Sequence, residues 1–356
     1  MSEEHGGKLA SGPTCPLRLD RYPTITMAHG GGGKLTRTLI DDLFVAAFDN
    51  PTLRRMHDGA LLEVDSTPMA FTTDSFVIDP IFFPGGDIGS LAVHGTVNDL
   101  AMCGAQPIAL SAGFILEEGL AMEDLWRLAT SMSHAAAEAG VSIVTGDTKV
   151  VDRGKCDKLY INTTGLGRVL PGARISPKRA RPGDVVLISG PIADHGIAVM
   201  SVREGLEFET EIISDSAALN EMARRLVETG RDKLHVMRDP TRGGLATALN
   251  EIAEQANVGI RLDETSLPVR DQVRGACEIL GLDPLYVANE GKCIAIGGKE
   301  VAGRLLQAMR SHRLGREAAI IGEVVREHPG KVHLTSSVGG ERVVTMLAGD
   351  QLPRIC

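Results

Sequence analysis

The chain has 356 residues, and its 37 Lys and Arg against 46 Asp and Glu give a formal net charge of −9. Nucleic acids and anionic membranes attract basic surfaces, so this balance argues against both as partners. Hydrophobic residues make up 43% of the chain, but aromatic residues only 3%. We therefore expect aliphatic globular cores, and the length suggests two domains of about 150 residues each.

The composition predicts a cytoplasmic protein. No apolar run of about 20 residues is present, as a membrane-spanning helix would require. The first residues lack the apolar centre of a secretory signal, and we interpret residues 1–21 as a flexible extension. The six cysteines form no CxxC pair, which argues against a zinc knuckle or a dithiol redox site and favours free thiols.

Short β-branched segments bounded by Gly, Pro or Asp predict strands. In chain order they are residues 61–64, 69–72, 141–144, 158–163, 185–189, 259–262, 293–296, 319–325, 331–334 and 342–346. Helical patterns cover residues 87–104, 121–139, 215–229, 243–256 and 300–312. Strands and helices do not alternate strictly, so the sequence predicts an α+β fold more than a doubly wound sheet.

A stretch rich in Pro and Arg, residues 171–183, disfavours both helix and central strand and predicts a crossover between two domains. We therefore expect an N-terminal domain over residues 22–175 and a C-terminal domain over residues 176–347. Residues 348–356 would form a mobile tail.

Four aspartates occupy positions that suggest a shared chemical role. Asp99 falls within a predicted helix that is apolar nearly all round, where a carboxylate needs a charge partner, strong donors or a metal. Asp74, Asp147 and Asp239 each follow a strand-like segment. A single such acid is usually a turn residue, but four of them predict oxygen ligands for Mg²⁺, which often carries nucleotide phosphates. Structural turn and cap acids are the alternative.

A run of four glycines near the N-terminus offers backbone N–H groups to a phosphate. The residues concerned are His29, Gly30, Gly31, Gly32, Gly33 and Lys34. The run is not a Walker A loop, because Leu follows the Lys where Ser or Thr is needed, and it is not GxGxxG. A flexible hinge is the alternative to a phosphate-binding loop.

The chain ends in a cysteine, Cys356. Asp350 and Pro353 disfavour regular structure before it, and eight extended residues reach about 26 Å. Such a tail can carry the thiol into a site on its own chain or on a neighbouring copy. An accidental terminal cysteine is the alternative.

Together these segments resemble the HypE family of hydrogenase maturation proteins. The resemblance covers about residues 22–356 and is carried by HGGGGKLT, TTDSFVIDPIFFPGGDIGSLAVHGTVNDLAMCGAQP, TGDTKVV, RDPTRGGLATALNEIA, ANEGK and the terminal PRIC. It implies the superfamily of aminoimidazole ribonucleotide synthetase, selenophosphate synthetase and thiamine monophosphate kinase. The expected fold is therefore a two-domain PurM-like α+β fold. N-terminal-domain strands would form a barrel at a homodimer interface, with ATP bound at the seam.

The resemblance also implies a reaction. A carbamoyltransferase, HypF, would load a carbamoyl group on Cys356. The chain would then use ATP and Mg²⁺ to dehydrate this S-carboxamide to an S-thiocyanate. The cyanide would pass to iron on a HypC–HypD scaffold complex and become a ligand of the metal centre of NiFe-hydrogenase.

Further site residues follow from the resemblance. Glu290 is expected as the proton acceptor, and Lys149 would assist it or stabilise the amide. Asn98 and Thr148 adjoin the magnesium-binding acids as polar nucleotide contacts, and His29 with the glycine run would form a lid over the phosphates. A surface turn lysine and a capping acid are the structural alternatives for Lys149 and Glu290.

Three other functions stay open at this stage. A selenophosphate synthetase would carry a cysteine beside the glycine-rich loop, where this chain has His29 and Gly30. A small-molecule phosphotransferase like thiamine phosphate kinase would leave Cys356 unused. A non-catalytic ATP-binding scaffold would tolerate loss of that cysteine.

Overall fold

The computed structural model describes residues 24–48, 50–206, 211–349 and 354–356. The predicted N-terminal extension and residues 350–353 of the predicted tail lie outside the described residues. None of the helices in the described ranges has the length and hydropathy that a membrane span requires.

The first half of the described chain is built on a five-stranded sheet with the order β1–β2–β7–β5–β6. The strands of this sheet are β1 (Ala60–Val64), β2 (Thr67–Phe76), β5 (Ala105–Glu117), β6 (Ser142–Val151) and β7 (Leu159–Val169). Two short strands, β3 (Phe82–Phe83) and β4 (Gly86–Asp87), form a separate antiparallel pair. The helices are α1 (Lys34–Leu39), α2 (Ala46–Phe48), α3 (Ile88–Met102) and α4 (Met122–Ala139). A π-helical stretch, Ile40–Val45, joins α1 to α2. Strands β5 and β6 are parallel, whereas the other neighbours are antiparallel.

One face of this sheet is covered and the other is open. Helix α3 packs on strands β2, β5 and β7, and α4 packs on α3 and β6. Helix α3 is apolar on nearly all sides and lies buried between the sheet and its neighbours, as its composition predicts. On the opposite face, apolar side chains such as Phe71, Ile108 and Leu166 are exposed.

The second half carries a seven-stranded sheet with the order β14–β13–β10–β12–β8–β11–β9. The strands are β8 (Asp184–Ile188), β9 (Leu234–Arg238), β10 (Gly259–Asp263), β11 (Ile294–Gly298), β12 (Ala319–Val325), β13 (Lys331–Thr335) and β14 (Glu341–Val344). The helices are α5 (Asp194–Arg203), α6 (Asn220–Gly230), α7 (Gly244–Ala256), α8 (Asp271–Leu280) and α9 (Lys299–Arg310). Helix α7 shares one aliphatic core with this sheet, and α6 and α9 share another. The predicted α+β fold is therefore confirmed.

The two halves meet along α3, which contacts α6 and β9. The structure differs from the sequence expectations at three points that matter for the site. The helix predicted from residue 215 begins at Asn220, so Asp215 lies in a segment without helix or strand. Asp74 and Asp147 lie inside β2 and β6 instead of after them, because both strands extend further than their β-branched centres.

Candidate active site

Three largely buried aspartates from separate elements meet where the two halves of the chain join. Asp99 lies in α3, Asp58 precedes β1, and Asp239 follows β9. One carboxylate oxygen of each lies within 4.8 Å of the others. Asp99 Oδ2 also accepts a hydrogen bond of 2.7 Å from the hydroxyl of Thr72. Both halves of the chain therefore contribute to one acidic cluster.

Burial opposes the ionisation of Asp99 and Asp239. Burial and the neighbouring charge of Asp239 hold the pKa of Asp99 well above its usual range. Burial and the charge of Asp58 raise the pKa of Asp239 to about 8. Among the described residues, Oδ2 of Asp58 and Oδ2 of Asp239 have no hydrogen-bond partner. Crowded carboxylates with unpartnered oxygens fit the ligand set of a hard divalent cation such as Mg²⁺.

Asp58 belongs to this cluster although no motif in the sequence marks it. Its Oδ1 atom lies 2.7 Å from Nε of Arg238, and Arg238 also forms an ion pair of 2.5 Å with Glu251. Asp58 lies next to a strand in HDGALLEV, just as Asp239 does in RDPTRGG. An acid at a strand end was the available signal, but in a single sequence it cannot be told from an ordinary turn residue.

Asp74 lies on β2 beside the cluster. Its Oδ1 atom is 3.8 Å from a guanidinium nitrogen of Arg242. Its charge also contributes to the raised pKa of Asp99, after burial and Asp239. The structure therefore brings three of the four predicted magnesium ligands into one region.

Two cavities flank Arg242, which lines both of them. The first has a volume of about 550 Å³ and is lined by two members of the acidic cluster; its lining includes Gly32, Thr36, Asp58, Thr72, Asp239 and Glu251. The second has a volume of about 400 Å³, and its lining includes Gly30, Gly31, Ser75, Val77, Ile355 and Cys356. The Arg242 guanidinium thus stands between an acid-lined cavity and the terminal thiol.

The glycine run lines both cavities, with Gly32 in the first and Gly30 and Gly31 in the second. Gly32 has a φ of +76°, and a Cβ there would overlap the side chain of Arg242, so the run needs glycine at this point. Gly33 precedes α1, which begins at the exposed Lys34. His29 accepts a hydrogen bond of 3.1 Å from the backbone of Thr26 through its Nδ1 atom. The predicted role of the run in holding phosphates stays a prediction, although its place beside the cavities is compatible with that role.

The C-terminus docks on its own chain. The backbone N–H of Val77 donates to the carbonyl of Cys356 at 3.1 Å, and that of Asp79 donates to the carbonyl of Arg354 at 3.3 Å. These bonds pair the last residues antiparallel with the segment after β2, and Ile355 is buried in the core of the first half. The described end of the predicted tail is therefore ordered along its own protomer.

Docking brings the terminal thiol next to Glu290. Burial and the charge of Glu290 hold the pKa of the Cys356 thiol well above its usual range, although Arg242 opposes this shift. Burial and then Asp239 similarly raise the pKa of Glu290 well above its usual range. Oε1 of Glu290 is buried without a hydrogen-bond partner among the described residues. A carboxyl group with an unused oxygen thus faces the thiol.

Asn98, on α3, fixes the backbone around Glu290. Its Nδ2 atom donates to the carbonyls of Ala217 and Glu290 at 3.1 and 3.2 Å, and its Oδ1 atom accepts from the N–H of Leu219 at 2.8 Å. These backbone bonds engage both amide hydrogens, so the structure gives Asn98 an anchoring role. Its expected contact with a nucleotide stays a prediction.

Asp147, Thr148 and Lys149 lie elsewhere in the single chain, on the edge strand β6. Asp147 and Lys149 form an exposed ion pair of 3.0 Å with each other. Strands β7 and β5 separate β6 from β2, the strand of Asp74. At about 4.8 Å per strand this spacing amounts to about 14 Å. Within one copy of the chain, these three residues therefore do not join Asp74 and the acidic cluster.

Comparison with known proteins agrees with the fold and shows the family. Residues 56–169 match the family model of the N-terminal domain of AIR synthase related proteins, and residues 181–335 match that of the C-terminal domain. The carbamoyl dehydratase HypE of Bradyrhizobium diazoefficiens is 55% identical over 336 residues, which are 94% of this chain and 97% of that protein.

Two solved structures share the architecture. A HypE–HypF complex contains a chain that is 50% identical, with a TM-score of 0.83, covering 87% of this chain and 99% of that one. A hydrogenase maturation protein HypE in complex with ATP is 53% identical, with a TM-score of 0.79, covering 94% of this chain and all (100%) of that one. The chain belongs to the HypE family of carbamoyl dehydratases, within the AIR synthase related proteins.

Proposed function

We propose that this chain is an ATP-dependent carbamoyl dehydratase that acts on its own C-terminal cysteine. An S-carboxamide on Cys356 would be converted to an S-thiocyanate, which would supply cyanide ligands for the iron of NiFe-hydrogenase. The observation that carries the proposal is the docked terminus, which holds Cys356 beside Glu290 and Arg242, next to the acid-lined cavity. The family relationship supports the same reaction.

The reaction balances through phosphorylation of the amide oxygen. That oxygen is a poor leaving group, but transfer of the γ-phosphoryl group of ATP makes it a good one. One N–H proton leaves as the phosphate ester forms, the second leaves as the C–O bond breaks, and a nitrile, ADP and phosphate result. Glu290 would accept a proton, and its raised pKa makes its carboxylate a stronger base than an exposed one.

Nucleotide binding is assigned to the cavity of about 550 Å³ beside the acidic cluster. The structure of a HypE relative has been solved in complex with ATP. Asp58, Asp99 and Asp239 would hold Mg²⁺, because one oxygen of each lies within 4.8 Å of the others, and one oxygen each of Asp58 and Asp239 has no hydrogen-bond partner among the described residues. The ion would neutralise phosphate charge there. Arg242 is placed to add a positive charge between the phosphates and the thiol.

A homodimer would complete the site. The nine residues from Ser142 to Val150 on the edge strand β6 are all exposed in the single chain, and the adjoining sheet face is apolar. Long apolar edge strands are normally covered. We therefore propose that a second copy packs here as part of a shared barrel and receives Asp147, Thr148 and Lys149 into its own site.

The proposed partners act before and after dehydration. A HypE relative forms a complex with HypF. By analogy, HypF would carbamoylate Cys356, and a HypC–HypD complex would accept the cyanide. Both steps require the docked terminus to leave its groove. We propose that these steps take place in the cytoplasm.

The test follows the mass of the C-terminal peptide. The chain is first loaded by its carbamoyltransferase and then incubated with Mg-ATP, and the peptide that contains Cys356 is mapped by mass spectrometry. Loss of one water from the loaded peptide is expected, and Asp99→Ala should prevent it. A loaded peptide that keeps its water would contradict the proposal. Turnover of a free acceptor would then indicate a small-molecule kinase, and no turnover a scaffold.

A further inference from the structure

A buried histidine outside the acidic cluster contacts the docked terminus. His195 lies near the start of α5 with 0% of its surface exposed. Its Nε2 atom lies 2.8 Å from the carbonyl oxygen of Ile355, the residue before the terminal cysteine. Its Nδ1 atom lies 2.8 Å from the hydroxyl oxygen of Ser214. Both ring nitrogens are therefore engaged, one of them by the tail.

The hydrogen-bond network assigns the tautomer of this ring. A carbonyl oxygen can only accept, so the proton must lie on Nε2 of His195. The backbone N–H of Ser216 donates to the Ser214 hydroxyl oxygen at 3.1 Å, which leaves the hydroxyl hydrogen free to point at Nδ1. Burial lowers the pKa of His195, in agreement with a neutral ring. The ring is thus set up as a donor toward the tail.

The hydrogen bond from His195 satisfies a carbonyl of the tail, that of Ile355, which the strand pairing leaves without a donor. The carbonyls of Arg354 and Cys356 accept from the segment after β2. Because successive carbonyls in an extended chain point in opposite directions, that of Ile355 faces away from this segment. Without His195 it would be a buried acceptor, and such groups are costly to leave unpaired.

The same short segment also positions Glu290. Ser214 sets the His195 ring, and the next residue, Asp215, accepts the backbone N–H of Glu290 at 3.1 Å. Ser214 is itself fixed by its N–H, which donates to the carbonyl of Pro84 at 2.8 Å. The adjacent residues Ser214 and Asp215 therefore position the terminal thiol, through His195, and the carboxyl group of Glu290.

We propose that His195 is a positioning residue that holds the terminus through the Ile355 carbonyl and so keeps Cys356 beside Glu290. The inferred effect of His195 on docking of the terminus is argued from the hydrogen-bond geometry alone. Its effect on dehydration rests on the proposed function.

The test compares His195→Leu with His195→Gln. Leucine fills the space without a donor, whereas the glutamine amide can replace the Nε2–H donor. His312→Gln is the matched control, because His312 is buried, its ring accepts from the neighbouring backbone N–H of Leu314, and it is distant in sequence from the terminus. All three proteins are first checked for cooperative thermal unfolding and for ATP binding.

The first readout is the rate at which iodoacetamide alkylates Cys356, measured by peptide mapping with Cys156 as internal reference. Loss of one buried hydrogen bond should raise the undocked fraction, and hence this rate, about tenfold in His195→Leu. His195→Gln and His312→Gln should stay near the parent rate. The second readout is the single-turnover dehydration rate at saturating ATP, which should fall in His195→Leu and recover in His195→Gln.

Alkylation of folded His195→Leu at the parent rate would overturn the proposal. If His195→Leu does not fold, Ser214→Ala removes the tautomer-setting hydroxyl without enlarging the core. It should raise alkylation about threefold by weakening one neutral hydrogen bond, and an unchanged rate would likewise overturn the proposal. If alkylation depends on His195 but the parent protein never dehydrates its loaded tail, docking by His195 stands and the proposed function fails.

Discussion

The carboxylate of Asp215 accepts the backbone N–H of Glu290 at 3.1 Å, and its second oxygen accepts that of Gly291 at 3.3 Å. Lys292 Nζ lies 2.9 Å from the same carboxylate, and both side chains are buried. A Cβ at Gly291 would overlap the backbone oxygen of Asp215, so the contact also requires glycine. Burial alone would raise the pKa of Asp215, but Lys292 and the hydrogen bond from the backbone of Glu290 outweigh it and lower that pKa.

We expect Asp215→Asn to destabilise the protein and slow dehydration. The substitution leaves the buried Lys292 ammonium without its counter-ion and removes one acceptor from the loop that carries Glu290. Breaking a buried pair from one side costs about 3 kcal/mol in the free energy of unfolding, measurable by urea denaturation. Glu323→Gln, which breaks the exposed pair with Arg261, is the control and should cost less than about 1 kcal/mol. Equal losses in the two variants would contradict the assigned role.

Asp58→Asn should weaken magnesium-dependent ATP binding. The substitution removes one of the three carboxyl groups of the acidic cluster while keeping the shape of the side chain. We expect a loss of about tenfold or more in affinity, which corresponds to about 1.4 kcal/mol. Titration calorimetry with Mg-ATP, repeated with ATP and a chelator, measures it. The exposed Asp152→Asn is the control, and an Asp58 variant that binds Mg-ATP like this control would exclude Asp58 from the site.

The acidic cluster should make stability depend on both pH and Mg²⁺. The pKa of Asp239 rises from 3.8 to about 8 on folding, so the folded protein binds more protons than the unfolded chain between these values. Stability is then fully present below about pH 4 and is lost progressively as the pH rises toward about 8. Mg²⁺ requires ionised ligands, so its stabilising effect should grow over the same range.

Thermal unfolding between about pH 5 and pH 8, with a chelator and with Mg²⁺, measures this dependence. Asp239→Asn should flatten the pH dependence and reduce the response to Mg²⁺. A parent protein whose melting temperature responds equally to Mg²⁺ at both ends of this range would contradict the predicted linkage.

The sequence predicted a site residue where the chemistry of one side chain conflicted with its local pattern. Asp99 could be predicted because a carboxylate in an all-round apolar helix requires a partner, and the structure places it in the cluster. Strand β5 could not be predicted, because Pro107 and the small residues within Ala109–Gly113 leave it few β-branched positions. Pro107 is tolerated because the pairing with β7 shifts register next to it.

Asp215 shows the limit of the same approach. Its segment has the apolar spacing of the following helix, so a local pattern extends that helix backwards. In the structure, hydrogen bonds between Asn98 and the backbone of Ala217 and Leu219 hold this segment outside the helix, which begins at Asn220. These contacts join residues more than a hundred positions apart, and no local pattern records them.

The exposed edge strand β6 allows a test of the proposed dimer. Val144 is 66% exposed on this strand, and Val338 is 92% exposed in a turn of the second half. Val144→Glu should place a charge in the proposed interface and give monomers in light scattering after size-exclusion chromatography. Val338→Glu, the same change outside the interface, should leave the oligomeric state unchanged. Equal behaviour of the two variants would contradict an interface at β6.

The final prediction concerns which copy supplies Lys149. Within one chain, Lys149 pairs with Asp147 on the edge strand, whereas Glu290 and Cys356 lie together at the docked terminus. Lys149→Ala and Glu290→Ala should each abolish dehydration of the loaded tail.

If a site combines Lys149 of one copy with Glu290 of the other, mixed dimers of the two variants contain one intact site. After unfolding and refolding together, about a quarter of the parent activity should return. Recovery should be absent if Lys149 and Glu290 act within one chain, because every chain then carries a defect. Adding Val144→Glu to both variants should abolish the recovery, which ties complementation to the β6 interface.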